Sequence, residues 1–257
     1  MKSKPFPLFV PVLSAPVVLT SCGQSDEPQQ SAADNGVTVT NCGKEVAYAQ
    51  ADNLFVNDAN IISMVLSVSA ADKSKYVSSV QIDRDLLHAK YGQAIDNAED
   101  VVEGSPSFEA VVAKHPDIFI GGWNSGMSGE KNLTLDSLKE QGIVSYIISE
   151  TCRQEGSTKR GVYSSWEVVK MGIANFGKIT GHEDTADSVV KDLDSRLGAW
   201  KKAPQADKAP TAFVFDSGSD TVFTSGKFGA PRAIIEAAGG RNGAEGIEDT
   251  WTTVSWE

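Results

Sequence analysis

From residue 37 onward, short runs of β-branched and aromatic residues alternate with stretches whose apolar positions return every third or fourth residue. That alternation predicts an α/β fold. Residues 37–49 read as a strand pair turning on Asn41-Cys42-Gly43-Lys44, residues 54–57 as a short strand and residues 60–68 as a helix. Residues 100–103 give another strand, and residues 107–114 a helix with Pro116 just beyond it. Residues 117–123 form a buried-type strand that runs into glycines. A helix at 133–141 stops at Gly142, and residues 144–148 form the next strand.

Two helices then follow. Trp166, Val169, Ile173 and Phe176 mark one apolar face, and Gly181 interrupts it. Ala186, Val189, Val190, Leu193, Leu197 and Trp200 mark a second helix, roughly 30 Å long at 1.5 Å per residue. Beyond it, residues 211–215 and 221–224 read as strands, and residues 230–238 as a helix ended by Gly239-Gly240. The pattern divides the chain into an N-terminal α/β lobe (37–181), a connecting long helix (182–203) and a C-terminal α/β lobe (204–257). The last lobe is expected to be incomplete, because roughly fifty residues are marginal for an α/β unit with its own core.

The first 36 residues follow another pattern. Lys2 and Lys4 precede an apolar stretch at 8–19, broken by Pro11 and Pro16 and too short to span a bilayer. It ends in Leu19-Thr20-Ser21-Cys22, which resembles the lipobox of bacterial lipoproteins. The resemblance implies a signal peptide at 1–21 and lipidation of Cys22; the alternative is an ordinary secretion signal with an incidental cysteine. Either way the mature chain is expected to be exported. Residues 22–36 hold no large apolar side chain and are expected to be a flexible, lipid-anchored tether.

Export changes the reading of the other two cysteines. An even pair outside the cell, Cys42 and Cys152, points to a disulfide ahead of a metal site. His88, His115 and His182 lack zinc-ligand spacing, so no metal site is expected. A formal charge of -11 with no basic run excludes a nucleic-acid surface. No Gly-x-Ser-x-Gly elbow, His-Glu-x-x-His or dinucleotide fingerprint occurs, so an enzyme is the weaker class.

Several segments taken in order carry a resemblance to a known family. They are Ser107-Phe108-Glu109, Lys114 to Ile120, Leu138 to Ile147, the long helix, Thr224-Ser225-Gly226, Ile234 to Asn242, and Thr252 to Glu257. As a set they resemble class III periplasmic binding proteins, which serve ABC importers of ferric siderophores, haem and cobalamin. Asn41-Cys42-Gly43 with Glu150-Thr151-Cys152 is similar to actinobacterial iron-chelate members. The resemblance implies two α/β lobes joined by one long helix, with a ligand cleft between them. It also implies an ABC-transporter permease dimer as partner, and no intrinsic cofactor. A monomer is expected, anchored to the outer face of the cell membrane. Family members continue past the position of Glu257.

Ligand contacts in such a fold come from strand-end loops. Candidates are Asn57, Asp58, Trp123, Asn124, Arg153 and Arg160 in the first lobe, and Ser217, Ser219 and Trp251 in the second. Trp123 either presents its ring to a ligand or packs at the lobe edge. Arg153 and Arg160 either pair with an anionic chelate or are simply solvated. The resemblance further assigns Glu109 and Glu257 to permease docking; each also suits a helix N-terminus with no partner at all. The leading function is capture of a ferric-siderophore-type chelate. The alternatives are haem or cobalamin binding, an exported α/β hydrolase lipoprotein, and a structural or adhesive surface lipoprotein.

Overall fold

The computed structural model describes residues 36–204 and 206–257. The expected signal peptide, Cys22 and the tether as far as residue 35 lie outside the described residues.

The chain opens with a hairpin, β1 (Val37–Asn41) and β2 (Lys44–Tyr48), paired antiparallel. It continues through β3 (Leu54–Asn57), α1 (Ala59–Ser67), β4 (Ser74–Ser78), α2 (Arg84–Tyr91), β5 (Glu99–Val102) and α3 (Phe108–Val112). Next come β6 (Ile118–Trp123), the two-residue β7 (Gly126–Met127), α4 (Leu135–Glu140) and β8 (Val144–Ile147). Strands β5-β4-β3-β6-β8 lie side by side, all parallel, and β7 pairs with the end of β6. Chain order runs outward from β3 in one direction and from β6 in the other. The gap between β3 and β6 is therefore the topological switch point, where ligands of open parallel sheets sit beyond the carboxyl ends.

Both faces of this sheet are covered, and strand alternation sorts the side chains between them. Leu54, Val56, Ile118 and Ile120 point into one core with α1 and α5 residues. Phe55 and Phe119, with rings 5.5 Å apart, point into the other with Val111, Leu133 and Leu138. The β1–β2 hairpin reinforces β8, since Asn41 donates to the Ile147 carbonyl at 2.7 Å and accepts from its amide at 3.1 Å. Beside that contact Cys42 is disulfide-bonded to Cys152, with Cα atoms 5.2 Å apart, as their export context predicts.

After the sheet come α5 (Ser165–Thr180) and α6 (Glu183–Lys201). Ser164 and Glu167 form a capping box at the start of α5, and Gly181 ends it in the left-handed conformation at φ 74°. Phe176 is fully buried, its ring 5.0 Å from that of Tyr146. The second lobe holds β9 (Thr211–Ala212), β10 (Val222–Ser225), α7 (Ala230–Ala237), β11 (Arg241–Asn242) and β12 (Trp251–Val254). Strand β10 pairs antiparallel with β12, and β9 pairs parallel with β11. The predicted arrangement of two α/β lobes joined by a helix is thus observed.

Some elements differ from the sequence reading. Strand β4 and helix α2 have no counterpart in the apolar pattern. Only Tyr76 and Val77 are apolar in β4, and pairing with β3 on one side and β5 on the other makes it a strand. Helix α2 buries Leu87 alone. The strand expected at 211–215 shrinks to two residues, leaving Phe213 and Phe215 exposed. Helix α6 fully buries only Ala186, because a connector packs along a narrow stripe.

Candidate functional site

The carboxyl ends of β3, β4 and β6 each pass into a non-glycine residue with positive φ: Asp58 at 83°, Ser79 at 56° and Asn124 at 64°. Such backbone is costly for L-residues and accumulates where a loop must present its groups in one direction. Asn57 is buried beneath this rim. Its Oδ1 accepts from the Ser78 and Ser79 hydroxyls, both at 2.9 Å, while its Nδ2 is buried without a protein partner. Asn57 therefore braces two strand ends. Asp58 caps α1 through the Asn60 amide at 3.0 Å, and its other oxygen accepts from the Ser125 hydroxyl at 2.9 Å. That second bond spans the switch point.

Trp123 ends β6, its amide donating to the Thr151 hydroxyl at 3.0 Å. Its ring carries the Arg153 guanidinium 3.8 Å from the centroid, a cation–π stack. One face of the indole is thus already covered. Arg153 is exposed, and Asn124 beside Trp123 is exposed too. Trp123 and Arg153, separated by 30 positions in the chain, make one composite surface at the mouth of the sheet.

Arg160 is placed differently. Residues 152–161 fold back on themselves, with Arg153 bridged to Arg160 and the Gly161 amide bonded to the Cys152 carbonyl at 2.9 Å. The Arg160 side chain, only 12% exposed, bonds through Nε to Asp249 Oδ1 at 3.3 Å and through its terminal nitrogen to the Trp251 carbonyl. It is committed to the second lobe. Gly161, at φ 94°, lies against Phe228 so closely that a Cβ there would sit 2.3 Å from that residue's own Cβ. Gln154 donates to the Glu248 carbonyl at 3.2 Å, and the Ser165 hydroxyl reaches the Phe228 and Gly229 carbonyls, both at 3.0 Å.

Glu150, in the turn beyond β8, belongs to the same junction. Neither it nor Asp249 stands among the ligand candidates drawn from the sequence. Burial pushes the Glu150 carboxyl above the usual carboxylate range, with Arg160 pulling it down and the negative charge of Asp58 adding to the rise. The Ala230 backbone and the Trp251 side chain also act to lower it. A carboxylate directly after an expected strand is the signal the sequence offers for Glu150; Asp249 has none beyond its closeness to Trp251.

Two of the second-lobe candidates, Ser217 and Trp251, meet at Phe223. Trp251 stacks on Phe223, with ring centroids 5.7 Å apart, at the Ser225 end of the β10–β12 pair. Ser217 and Ser219 are exposed: Ser217 is bridged to Phe223, its carbonyl accepting from the Phe223 amide at 2.8 Å and its hydroxyl donating to Asp216 at 2.9 Å, and the Ser219 carbonyl accepts from the Trp256 indole at 2.8 Å. Trp123, Arg153, Arg160 and Trp251 are therefore linked in one chain of contacts across the junction of the lobes, and Ser217 joins it through Phe223.

Glu109 is exposed in the first turn of α3, where Ser107 caps the Ala110 amide at 3.2 Å. Bonds from its own backbone amide and then from Ser107 hold its carboxyl below the usual range. Ser255 and Glu257 follow β12 in irregular backbone, and the Ser255 hydroxyl donates to the Glu257 carbonyl at 3.3 Å. Among the described residues no cluster of His, Cys, Asp and Glu could hold a metal ion.

A sequence model of the family described as periplasmic binding protein matches residues 102–257. The fold is similar to that of a periplasmic binding protein from Veillonella parvula, at 20% identity and a TM-score of 0.65, covering 86% of this chain and 72% of that one. It is also similar to an ABC-type Fe3+-hydroxamate transport system structure from Saccharomonospora viridis, at 19% identity and a TM-score of 0.64, covering 85% and 74%. The periplasmic heme binding protein HutB of Vibrio cholerae is a further likeness, at 17% identity and a TM-score of 0.56, covering 79% and 70%. No curated protein matches.

Proposed function

We propose a function from one premise: this chain belongs to the periplasmic binding protein family. Its role is then extracytoplasmic capture of a solute for an ABC importer, and the solute we infer is a ferric-siderophore-type iron chelate. The observation that carries this reading is the Arg153–Trp123 stack at the switch point of the sheet. An exposed guanidinium held flat on an indole offers a fixed cation and an apolar rim together, which suits a bulky anionic chelate. Similar folds described as serving Fe3+-hydroxamate transport and heme binding support an iron-containing ligand. Haem is the second reading, favoured by the aromatic pair Phe223–Trp251 at the second-lobe side of the cleft.

The test is a titration of the full chain with ferric hydroxamates, ferric catecholates, haem and cobalamin, read by tryptophan emission. Ferric chelates should quench it. Arg153→Gln should weaken chelate binding by about tenfold, the worth of one charge-assisted bond at the low end. Tight haem binding with no response to any ferric chelate would install the second reading instead.

Delivery to a permease dimer is proposed to use Glu109 and Glu257, one exposed carboxylate per lobe. Rim charges of this kind act mainly on association and its salt dependence. The double variant Glu109→Ala/Glu257→Ala should keep chelate affinity and lose uptake; wild-type uptake at normal protein levels would end the docking assignment. Membrane attachment through Cys22 is part of the same proposal, tested by intact mass and by membrane release in Cys22→Ala.

A further inference from the structure

Residues 151–153 are each held by a different kind of bond. Cys152 is joined to Cys42 by the disulfide, and the Arg153 guanidinium lies on the Trp123 ring. Thr151 supplies the third tie. The β6–β8 ladder ends at the Gly121–Ile147 pair, where the Ile148 amide donates to the Gly121 carbonyl at 2.9 Å. Trp123 lies two residues beyond that end. Its amide donates instead to the Thr151 hydroxyl at 3.0 Å, and the hydroxyl donates onward to the Ile148 carbonyl at 3.1 Å. One buried side chain, 8% exposed, thus continues the pairing where the backbone ladder has stopped. Gly122 is what lets it in: a Cβ there would sit 2.9 Å from both the Oγ1 and the Cγ2 of Thr151.

We propose that Thr151 is the positioning residue of the Trp123–Arg153 surface. Its hydroxyl fixes the backbone that carries the indole against the backbone two residues ahead of the guanidinium, so the stack stands ready before a ligand arrives. Groups ordered in advance bind more tightly than groups that must be ordered on contact. The disulfide ties the same segment to the turn between β1 and β2, and the bridge to Arg160 ties it toward the second lobe. Of these three ties, Thr151 is the one that reaches the strand bearing Trp123. Arg153 is exposed, so its place over the ring depends on where the chain at 151–153 is held. The consequence for chelate binding rests on the binding-protein reading; the hold on the stack does not.

Two substitutions separate positioning from packing. Thr151→Val keeps the shape and loses the hydroxyl, leaving the Trp123 amide without its acceptor. Thr151→Ser keeps the hydroxyl and drops the methyl group that lies against Gly122. A side chain that only fills space is damaged more by the serine. A side chain that positions the stack is damaged more by the valine.

The first readout is made on the full chain without ligand: the upfield ring-current shift that the indole imposes on the Arg153 side-chain protons, followed by NMR. The shift should be kept in Thr151→Ser and lost in Thr151→Val, while amides of β3 stay protected from exchange and report a folded first lobe. The second readout is affinity for a ferric hydroxamate and a ferric catecholate, by quenching of tryptophan emission. Thr151→Val should weaken binding by roughly threefold to tenfold. It should add little when Arg153 is already glutamine, because a residue that acts through another is not additive with it. If Thr151→Val fails to fold, Thr151→Ala is compared with Thr151→Ser, a pair that differs by the hydroxyl alone. A wild type without the shift, an unchanged shift in the variant lacking the hydroxyl, or an equal loss in Thr151→Ser overturns the positioning role. Full additivity in Thr151→Val/Arg153→Gln overturns it too. If neither chelate binds any form but the shift behaves as expected, the positioning role stands and the ligand reading fails alone.

Discussion

In the first lobe Phe55, Phe119, Tyr146 and Phe176 are fully buried, whereas in the second Phe213, Phe215 and Trp256 remain more than half exposed. The difference follows from architecture. Five parallel strands with helices on both faces close two cores around every central side chain. In the second lobe two-stranded pairs and α7 leave only Val222, Ala233 and Ala244 as buried apolar residues among those described. Buried polar groups do much of the joining there: Asn242 donates to the Ser225 carbonyl at 2.9 Å, and the Thr224 hydroxyl to that of Val214 at 2.7 Å. The first lobe is therefore a rigid platform for Trp123 and Arg153. The second is held largely by what it touches, so the junction at Arg160 and Ser165 matters to its position.

The strongest challenge to this contrast is removal of the Cys42–Cys152 disulfide, which ties together cysteines 110 positions apart in the first lobe. In the chain-entropy model, Cys42→Ser/Cys152→Ser should lose about 4–5 kcal/mol in urea unfolding. A loss under about 1 kcal/mol would mean that the hairpin and β8 hold without it. Next in size, Phe119→Ala should cost about 3–5 kcal/mol, because its cavity is enclosed by packed neighbours. Ile234→Ala, at a residue 55% exposed, should stay within about 0.5 kcal/mol. Equal costs would remove the contrast between the lobes.

The smallest effect sharpens the comparison at α5, which packs against both lobes. Hydrogen bonds from the Ser164 hydroxyl, and then from its backbone amide, hold the Glu167 carboxyl below the usual range. A depressed value means that this capping contribution is present above the ordinary glutamate range and is lost as pH falls through the lowered one. Glu167→Gln should flatten that part of the pH dependence of the urea midpoint and shift the midpoint slightly at neutral pH. An unchanged profile would show that the box is carried by Ser164 alone.

How much is legible in the sequence varies with the kind of interaction. The strands at 54–57, 118–123 and 144–147 announce themselves through short runs dominated by apolar residues, since a parallel strand is buried on both faces. The break at Gly181 and the cap at Ser164 are local devices and can be read locally. Strand β4 cannot, because its pairing partners and not its own side chains make it a strand. At the site, Trp123 and Arg153 are each visible as strand-end residues, but their stacking is not, since nothing local brings positions 30 apart together. Arg160 and Arg153 look alike in the chain; only contact with Asp249 and the Trp251 carbonyl separates an arginine bonded to the second lobe from an exposed one stacked on Trp123. By itself the sequence determined the alternation of elements, the glycine stops of helices and the cysteine pair available for a disulfide, because these depend on neighbours within a few residues or on counting. The tertiary structure alone decided which arginine is exposed, which carboxylate is desolvated and which lobe carries the core, because charge and burial are set by whatever the fold brings near.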